Sequence, residues 1–338
     1  MASTVAASAG LEGVSAVAHD WSTVHRVARL LAALAALGCV ASVVVGVGSS
    51  TPPGRNGLIA FAAGHVLGLK GGGIAVIRPD GRGARLLTRV PGDGDPAWSP
   101  AGRRLAFVRQ GHVHVMNADG TKVRQVTHGK SVEDSGPSWS PDGRKIAFIR
   151  AQKLPPHSGI SPTYWLMVVH ADGSRPHVVF NGATGITWLG GTSWSPDGRT
   201  IAFAAGDGQT ASIAVTPVDG SEAERYPLPD GPGDFGDDDS DPDWSPDGRH
   251  MAVTRTTWFC ERCDIEGVAI ADLDNETITM IAEEIVDPSW SPDGAQLVAS
   301  AGSSGEEKLE GLVVLDLQGK SRPLIFGDVS SPAWQPVR

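Results

Sequence analysis

The amino-acid sequence predicts an all-β fold assembled from tandem repeats, and three observations carry that reading. The 338 residues include 43 Gly and 24 Pro with 6% aromatic residues, a balance that suits a chain turning often and suits long helices poorly. Five near-copies of one segment follow one another: PAWSPAGRRLAFVR from Pro96, PSWSPDGRKIAFIR from Pro137, TSWSPDGRTIAFAA from Thr192, PDWSPDGRHMAVTR from Pro242 and PSWSPDGAQLVAS from Pro288. A sixth, truncated copy, PAWQPVR, begins at Pro332. The tryptophans stand at 98, 139, 194, 244, 290 and 334, and their spacings of 41, 55, 50, 46 and 44 residues lie near the roughly 40 to 50 residues of one propeller blade. The expected architecture is a six-bladed β-propeller.

Each element of the repeat has a local cause. Ser-Pro-Asp-Gly makes a tight turn, with Pro pre-setting φ, Asp bonding nearby amides and Gly free to take φ > 0, so strands flank it. The segment after it alternates and is β-prone, as in IAFIR. A third strand follows after a variable stretch, as in VHVMN, WLMVVH, SIAVTP, VAIADL and LVVLDL. A second turn then recurs at Pro79-Asp80-Gly81, Ala118-Asp119-Gly120, Ala171-Asp172-Gly173 and Val218-Asp219-Gly220, degenerate at Leu273-Asp274-Asn275 and Leu317-Gln318-Gly319. It leads to a fourth strand such as RLLT or RQVT. One repeat is thus a four-stranded meander that buries its faces only between neighbours. The pattern starts at Leu58-Ile59-Ala60-Phe61, a second strand, and stops at Trp334, a first strand. The expected closure pairs the C-terminal strand with the N-terminal blade and removes the exposed edge of an open array.

Ahead of the repeat, residues 30–48 contain LLAALAALGCVASVVVGV, 18 residues without a charge from Leu30 to Val47. At about 1.5 Å per residue this just spans a bilayer's hydrocarbon core. Arg26 and Arg29 precede it and only Arg55 follows closely, which places residues 1–29 in the cytoplasm and the rest outside. A transmembrane anchor is favoured over a cleaved signal helix, because the polar head is long for a signal peptide. Residues 49–56 read as a linker and 57–338 as the propeller. The net charge of -10 argues against nucleic acid, whose phosphates need clustered Lys and Arg.

W-S-P-D-G-R/K-x-I-A-F followed by V-x-V-M-N-A-D-G-T resembles the TolB-like β-propeller repeat family, over roughly residues 57 to 335. The resemblance implies an extracytoplasmic propeller that binds proteins or small ligands. The α/β domain that precedes the propeller in the family's namesake is expected to be lacking here, since only a short head and one apolar run precede the repeat. The namesake's partnership is therefore not carried over.

Consecutive strands alternate direction, so the Asp-Gly turns share one end of the ring. The long segments 62–73, 151–163, 181–191, 229–241, 256–266 and 300–310 share the other, the expected working face. Candidate ligand-binding residues there are the loop aromatics Trp188, Trp258 and Phe259 and the acidic Asp237, Asp238, Asp239 and Asp241. A solvated acidic loop is the favoured account of the acidic run, and a Ca²⁺ held through Asp237, Asp239 and Asp241 is the alternative. The residues three before each tryptophan, Asp95, Gly136, Gly191, Asp241, Asp287 and Ser331, lead into the innermost strands. Asp95, Asp241 and Asp287 are thus weak candidates to hold a cation at the channel mouth, against plain turn capping. Cys260 and Cys263 are expected to form a disulfide in preference to a metal or redox site. His112 and His114 share one strand face and read as packing residues before zinc ligands.

The function these features predict is a non-catalytic protein- or ligand-binding module of the cell envelope, membrane-anchored with an extracytoplasmic propeller, its partner an envelope protein or a small ligand. No catalytic residues are assigned, and no G-x-S-x-G occurs. The alternative is a metal-dependent hydrolase of the lactonase type, with carboxylates around the channel holding the ion. Such enzymes need Glu, Asn or His beside Asp, whereas the series above has two Gly and a Ser.

Overall fold

The computed structural model describes residues 55–66, 69, 71–155, 162–182, 186–207, 210–221, 224–225, 228, 237–260, 263–301 and 311–337. The anchor or signal segment at 30–48 lies outside them, and among the described residues no helix is long and apolar enough to cross a membrane. Among the described residues the regular elements are all strands: β1 (Arg55–Val66), β2 (Gly73–Ile77), β3 (Arg85–Leu86), β4 (Gly94–Trp98), β5 (Arg104–Arg109), β6 (His112–Asn117), β7 (Arg124–Gln125), β8 (Val132–Trp139), β9 (Lys145–Gln152), β10 (Tyr164–His170) and β11 (His177–Asn181). They continue as β12 (Trp188–Trp194), β13 (Thr200–Gly206), β14 (Ala211–Pro217), β15 (Glu224–Arg225), β16 (Asp237–Trp244), β17 (His250–Cys260), β18 (Cys263–Asp272), β19 (Thr277–Glu283), β20 (Ile285–Trp290), β21 (Gln296–Ala301), β22 (Gly311–Asp316) and β23 (Ser321–Val337).

Strands β4 to β19 form four antiparallel meanders of four strands each. The remaining seven run in the order β20-β21-β22-β23-β1-β2-β3, because β23 serves twice. Its first half pairs with β22, from Leu315↔Ser321 to Gly311↔Phe326, and its second half pairs with β1, where Ile59 faces Trp334. The other repeat tryptophans face the same second-strand position: Leu105, Ile146, Ile201, Met251 and Leu297. The C-terminal segment thus stands where the missing first strand of the N-terminal repeat belongs.

Among the described residues, six apolar cores lie between neighbouring repeats rather than at one centre. In one, Val113 and Val115 meet Phe148 and Met167; in another, Val298 and Leu312 of the last repeat meet Ile59 and Phe61 of the first. Full burial of Phe61, Phe107, Phe148 and Phe203 contributes about 1.5 to 3 kcal/mol per ring. The second turns clip the outer edges together. A Cβ on Gly120, at φ 88°, would meet the Leu87 carbonyl oxygen of the preceding repeat at 2.8 Å, so the glycine is needed for close approach as well as for its conformation. Arg124 adds bonds to the carbonyls of Ala171 and Asp172 at 2.6 and 3.0 Å. Arg322 does the same to the Pro79 carbonyl at 2.6 Å, between the last repeat and the first.

Several segments expected to be long loops are strand. Residues 256–260 and 263–266 extend β17 and β18, with Cys260 opposite Cys263, because Thr256, Thr257, Trp258 and Phe259 favour extended backbone. The acidic run likewise enters β16 at Asp237.

Candidate functional site at the axial tunnel

Every first strand carries a bulge three residues before its tryptophan. Asp95, Gly136, Gly191, Asp241, Asp287 and Ser331 all have left-handed φ between 47° and 54°, an arrangement that Gly, Asp and Asn tolerate best. The ladder shifts register there, as between Gly94 and Ala97 and between Ser240 and Asp243. The six positions adjoin one another around an axis. Asp95 accepts a bond from the Gly136 amide at 3.0 Å and one from the Ser331 hydroxyl at 3.3 Å, and Asp287 accepts one from the Ser331 amide at 3.4 Å. A Cβ on Gly136 would meet Gly191, and one on Gly191 would meet the Asp241 backbone at 3.1 Å.

These residues line a cavity of about 280 Å³. It shares Ala97, Ser138, Thr192, Asp243, Ser289 and Ala333 with a second cavity of about 200 Å³, which the six repeat tryptophans surround. Together they form one tunnel along the axis, acidic at the long-loop end and aromatic at the other. Burial raises the Asp241 carboxyl above its ordinary range, with the charge of Asp95 adding to it. Burial, then the charges of Asp241 and Asp95, push Asp287 up to about 6.

Deeper in the tunnel is Asp243, which the sequence reading passed over. It accepts bonds from the Ser193 hydroxyl at 3.0 Å and the Trp290 amide at 2.8 Å, tying three successive first strands together. It is half-buried where it lines both cavities, and burial pushes its carboxyl up to about 6 despite these bonds. A signal was available: the residue before each repeat tryptophan is Ala97, Ser138, Ser193, Ser289 or Ala333 elsewhere, and Asp only here.

The other candidates are placed more structurally than a free loop would be. Asp239 is buried and receives both Arg255 Nε and Nη2 at 2.8 Å, while Arg255 Nη1 lies 3.3 Å from Asp237. Asp238 accepts the Ala211 amide at 2.6 Å and so joins β16 to the preceding repeat. Arg255 already supplies the counter-charge a Ca²⁺ would bring to Asp237 and Asp239, and Asp241 turns into the tunnel, so the three do not fit one calcium. Trp188 is half-buried across Gly206, where a Cβ would strike its indole nitrogen, and beside Asp238 it borders a cavity of about 290 Å³. Trp258 and Phe259 lie in β17 and Cys260 and Cys263 at the tip of its hairpin; their side chains fall outside the description. His114 packs against Phe107 at 5.6 Å and burial lowers its pKa. Among the described residues, no three His, Cys, Asp or Glu side chains come together closely enough to hold a metal ion.

No protein-family model matches the chain, and no curated protein matches it in sequence. Solved structures are similar in fold. TolB from Acinetobacter baumannii aligns with a TM-score of 0.65 at 20% identity, over 83% of this chain and 67% of that one. A putative TolB from Agrobacterium tumefaciens gives 0.57 at 19% identity, over 80% and 88%. An oligogalacturonate lyase from Vibrio parahaemolyticus gives 0.55 at 17% identity, over 80% and 75%. With its WSPDG-type repeats and this likeness, the chain has the TolB-like β-propeller fold.

Proposed function

We propose that the six sheets close into a six-bladed ring that works as a non-catalytic binding module of the cell envelope, exported and tethered through the apolar run at 30–48. Its partner, an envelope protein or small ligand presenting a cationic group, docks at the long-loop end over the tunnel mouth. The observation that supports this is the mouth itself: like bulges in successive first strands gather Asp95, Asp241 and Asp287, and burial, with neighbouring negative charge adding to it, raises the pKa values of the last two and makes their charge costly. A bound cation relieves it.

An affinity capture with the full chain as bait tests the reading, with Asp241→Asn/Asp287→Asn as the paired control. A partner lost from the control, while its melting temperature is maintained or raised, supports docking at the mouth; equal retention on both baits refutes it. A reporter active only outside the cytoplasm, fused after Arg338, tests export and should be active.

The fold likeness to an oligogalacturonate lyase favours one second reading, a metal-dependent enzyme using the same mouth. Stoichiometric metal in the purified protein, together with lyase, esterase or lactonase turnover lost in Asp241→Ala, would establish it in place of the binding module.

A further inference from the structure

A further cavity lies at the Asp-Gly turn end of the joint between the fifth and sixth repeats, outside the tunnel mouth and adjoining the tunnel's aromatic end through Ser245, Pro246 and Trp290. It measures about 730 Å³. Its floor is Trp290, with His250 tilted 6.3 Å from it; Thr277, Thr279 and Ile281 of β19 form a wall, and Asp247, Asp272 and Asp293 stand at the rim.

The same joint between the second and third repeats shows what this geometry accepts. There Arg104, six residues after its tryptophan, lays its guanidinium over the ring of Trp139 with Cζ 4.7 Å from the centroid, and Nη2 donates to the Gly143 carbonyl at 3.0 Å. Counting in the same way, His250 follows Trp244 by six, Trp290 takes the place of Trp139, and Gly294 that of Gly143. The backbones correspond, since a Cβ on Gly143 would sit 3.7 Å from Pro100 and one on Gly294 3.9 Å from Pro246. At the fifth joint the shorter imidazole of His250 takes the guanidinium's place against Trp290, and the cavity lies beside the two rings.

We propose that this cavity receives the guanidinium of an arginine side chain from a partner protein, stacked on Trp290 beside the Gly294 carbonyl as Arg104 is stacked on Trp139. The rim matches that cation. Bonds within their own turns, from Ser245 and the Arg249 amide to Asp247 and from Asn275 to Asp272, leave both carboxyls below their ordinary range and therefore charged at neutral pH. A planar guanidinium can stack on the indole while its edge donates to the carbonyl, a pairing that a point-charge ammonium does not reproduce. The site is separate from the tunnel mouth and does not rest on the function proposed above.

The test titrates the full chain with acetyl-Gly-Arg-Gly-amide and, in parallel, acetyl-Gly-Lys-Gly-amide, following the His250 imidazole signal by NMR. The arginine peptide should bind with a dissociation constant on the order of 1 mM and at least tenfold more tightly than the lysine peptide. His250→Arg, which supplies the guanidinium internally, should raise the melting temperature and, with the peptide followed by saturation transfer, weaken binding at least tenfold. Thr279→Trp, at an exposed wall position, should also block binding, and serves if His250→Arg fails to fold. Asp142→Ala, in the turn of another repeat, should leave it unchanged. Equal binding of the two peptides, absence of binding, or undiminished binding to a folded blocked variant would overturn the proposal.

Discussion

The two ends of the repeat treat the same side chain in opposite ways. At the Ser-Pro-Asp-Gly end, Asp142 faces a burial cost, but the Ser140 hydroxyl at 2.6 Å and the Arg144 amide at 3.0 Å outweigh it and hold its carboxyl low. Asp247 behaves likewise. In the tunnel, Asp241, Asp243 and Asp287 are raised because burial outweighs their few bonds, with neighbouring carboxylates adding to it at Asp241 and Asp287. Turn aspartates therefore stabilise the scaffold when charged, whereas tunnel aspartates carry a standing cost. A carboxylate bonded within its own turn is scaffold, and one raised by burial at the tunnel is the better candidate for binding.

The largest expected effect tests whether the two ends belong to one closed ring. Deleting residues 330–338 removes Trp334 and the strand facing Ile59, so the cores on both sides of the first repeat open. The loss should exceed about 5 kcal/mol, a large share of a domain's stability, and unfolding should become non-cooperative. A truncated protein with an unchanged melting temperature would break the ring and the count of six blades.

A second experiment sharpens the comparison within the long-loop end. Three repeats place a buried Asp against an Arg at one register position: Asp93 with Arg109, Asp134 with Arg150 and Asp239 with Arg255. The other three use Leu189 with Ala205, Ile285 with Ala301 and Val329 with Ala63. Arg109→Met leaves Asp93 buried without its cation and should cost about 3 kcal/mol in chemical denaturation. Asp93→Leu with Arg109→Ala copies the apolar solution of the fourth repeat and should cost less than about 1 kcal/mol. Equal losses would show that the two solutions are not interchangeable.

The scaffold was legible because its chemistry repeats. Six tryptophans, the Ser-Pro-Asp-Gly turns and the incomplete first and last copies announce the sheets and the pairing of Trp334 with Ile59. The site was less legible because it depends on departures from the repeat. Asp243 was hidden inside the repeat itself, directly before its tryptophan. Asp237 and Asp239 were read as a charged loop because their partner Arg255 lies 16 to 18 residues on, across a hairpin that sequence spacing alone does not pair. Asp95, Asp241 and Asp287 could be seen as one series, since they hold a fixed distance from each tryptophan.

Asp243 allows the sign of the comparison to be measured. Its carboxyl has a higher pKa folded than unfolded, so the native state binds the proton more readily and stability must fall as pH rises between about 4 and 6, then level off. Asp287 titrates in the same direction and range. Asp243→Asn should raise stability at pH 7 by roughly 1 to 2 kcal/mol, less than the full titration cost, because asparagine keeps only one of the two acceptors used by Ser193 and Trp290. The variant should also flatten, without abolishing, the pH dependence of the melting temperature, since Asp287 remains. A steeper dependence would mean that the tunnel aspartate is stabilised by its charge, as the turn aspartates are.

The smallest effect belongs to those turn aspartates, and its direction with pH is the reverse. Asp142→Ala removes the acceptor for the Ser140 hydroxyl and the Arg144 amide but leaves the Gly143 amide bonded to the Ser140 carbonyl at 2.8 Å, so the turn persists. The side chain is largely exposed, which limits the loss to about 0.5 to 1 kcal/mol at pH 7. Because the folded carboxyl titrates below its unfolded value, the stability it contributes is present above about pH 4 and disappears as the pH falls through the folded value. Wild type and Asp142→Ala melting curves should therefore stand apart at pH 7 and converge toward pH 3, with partner affinity of the folded variant unchanged. Curves that diverge on acidification would place Asp142 with the tunnel carboxylates and remove the distinction between the two ends.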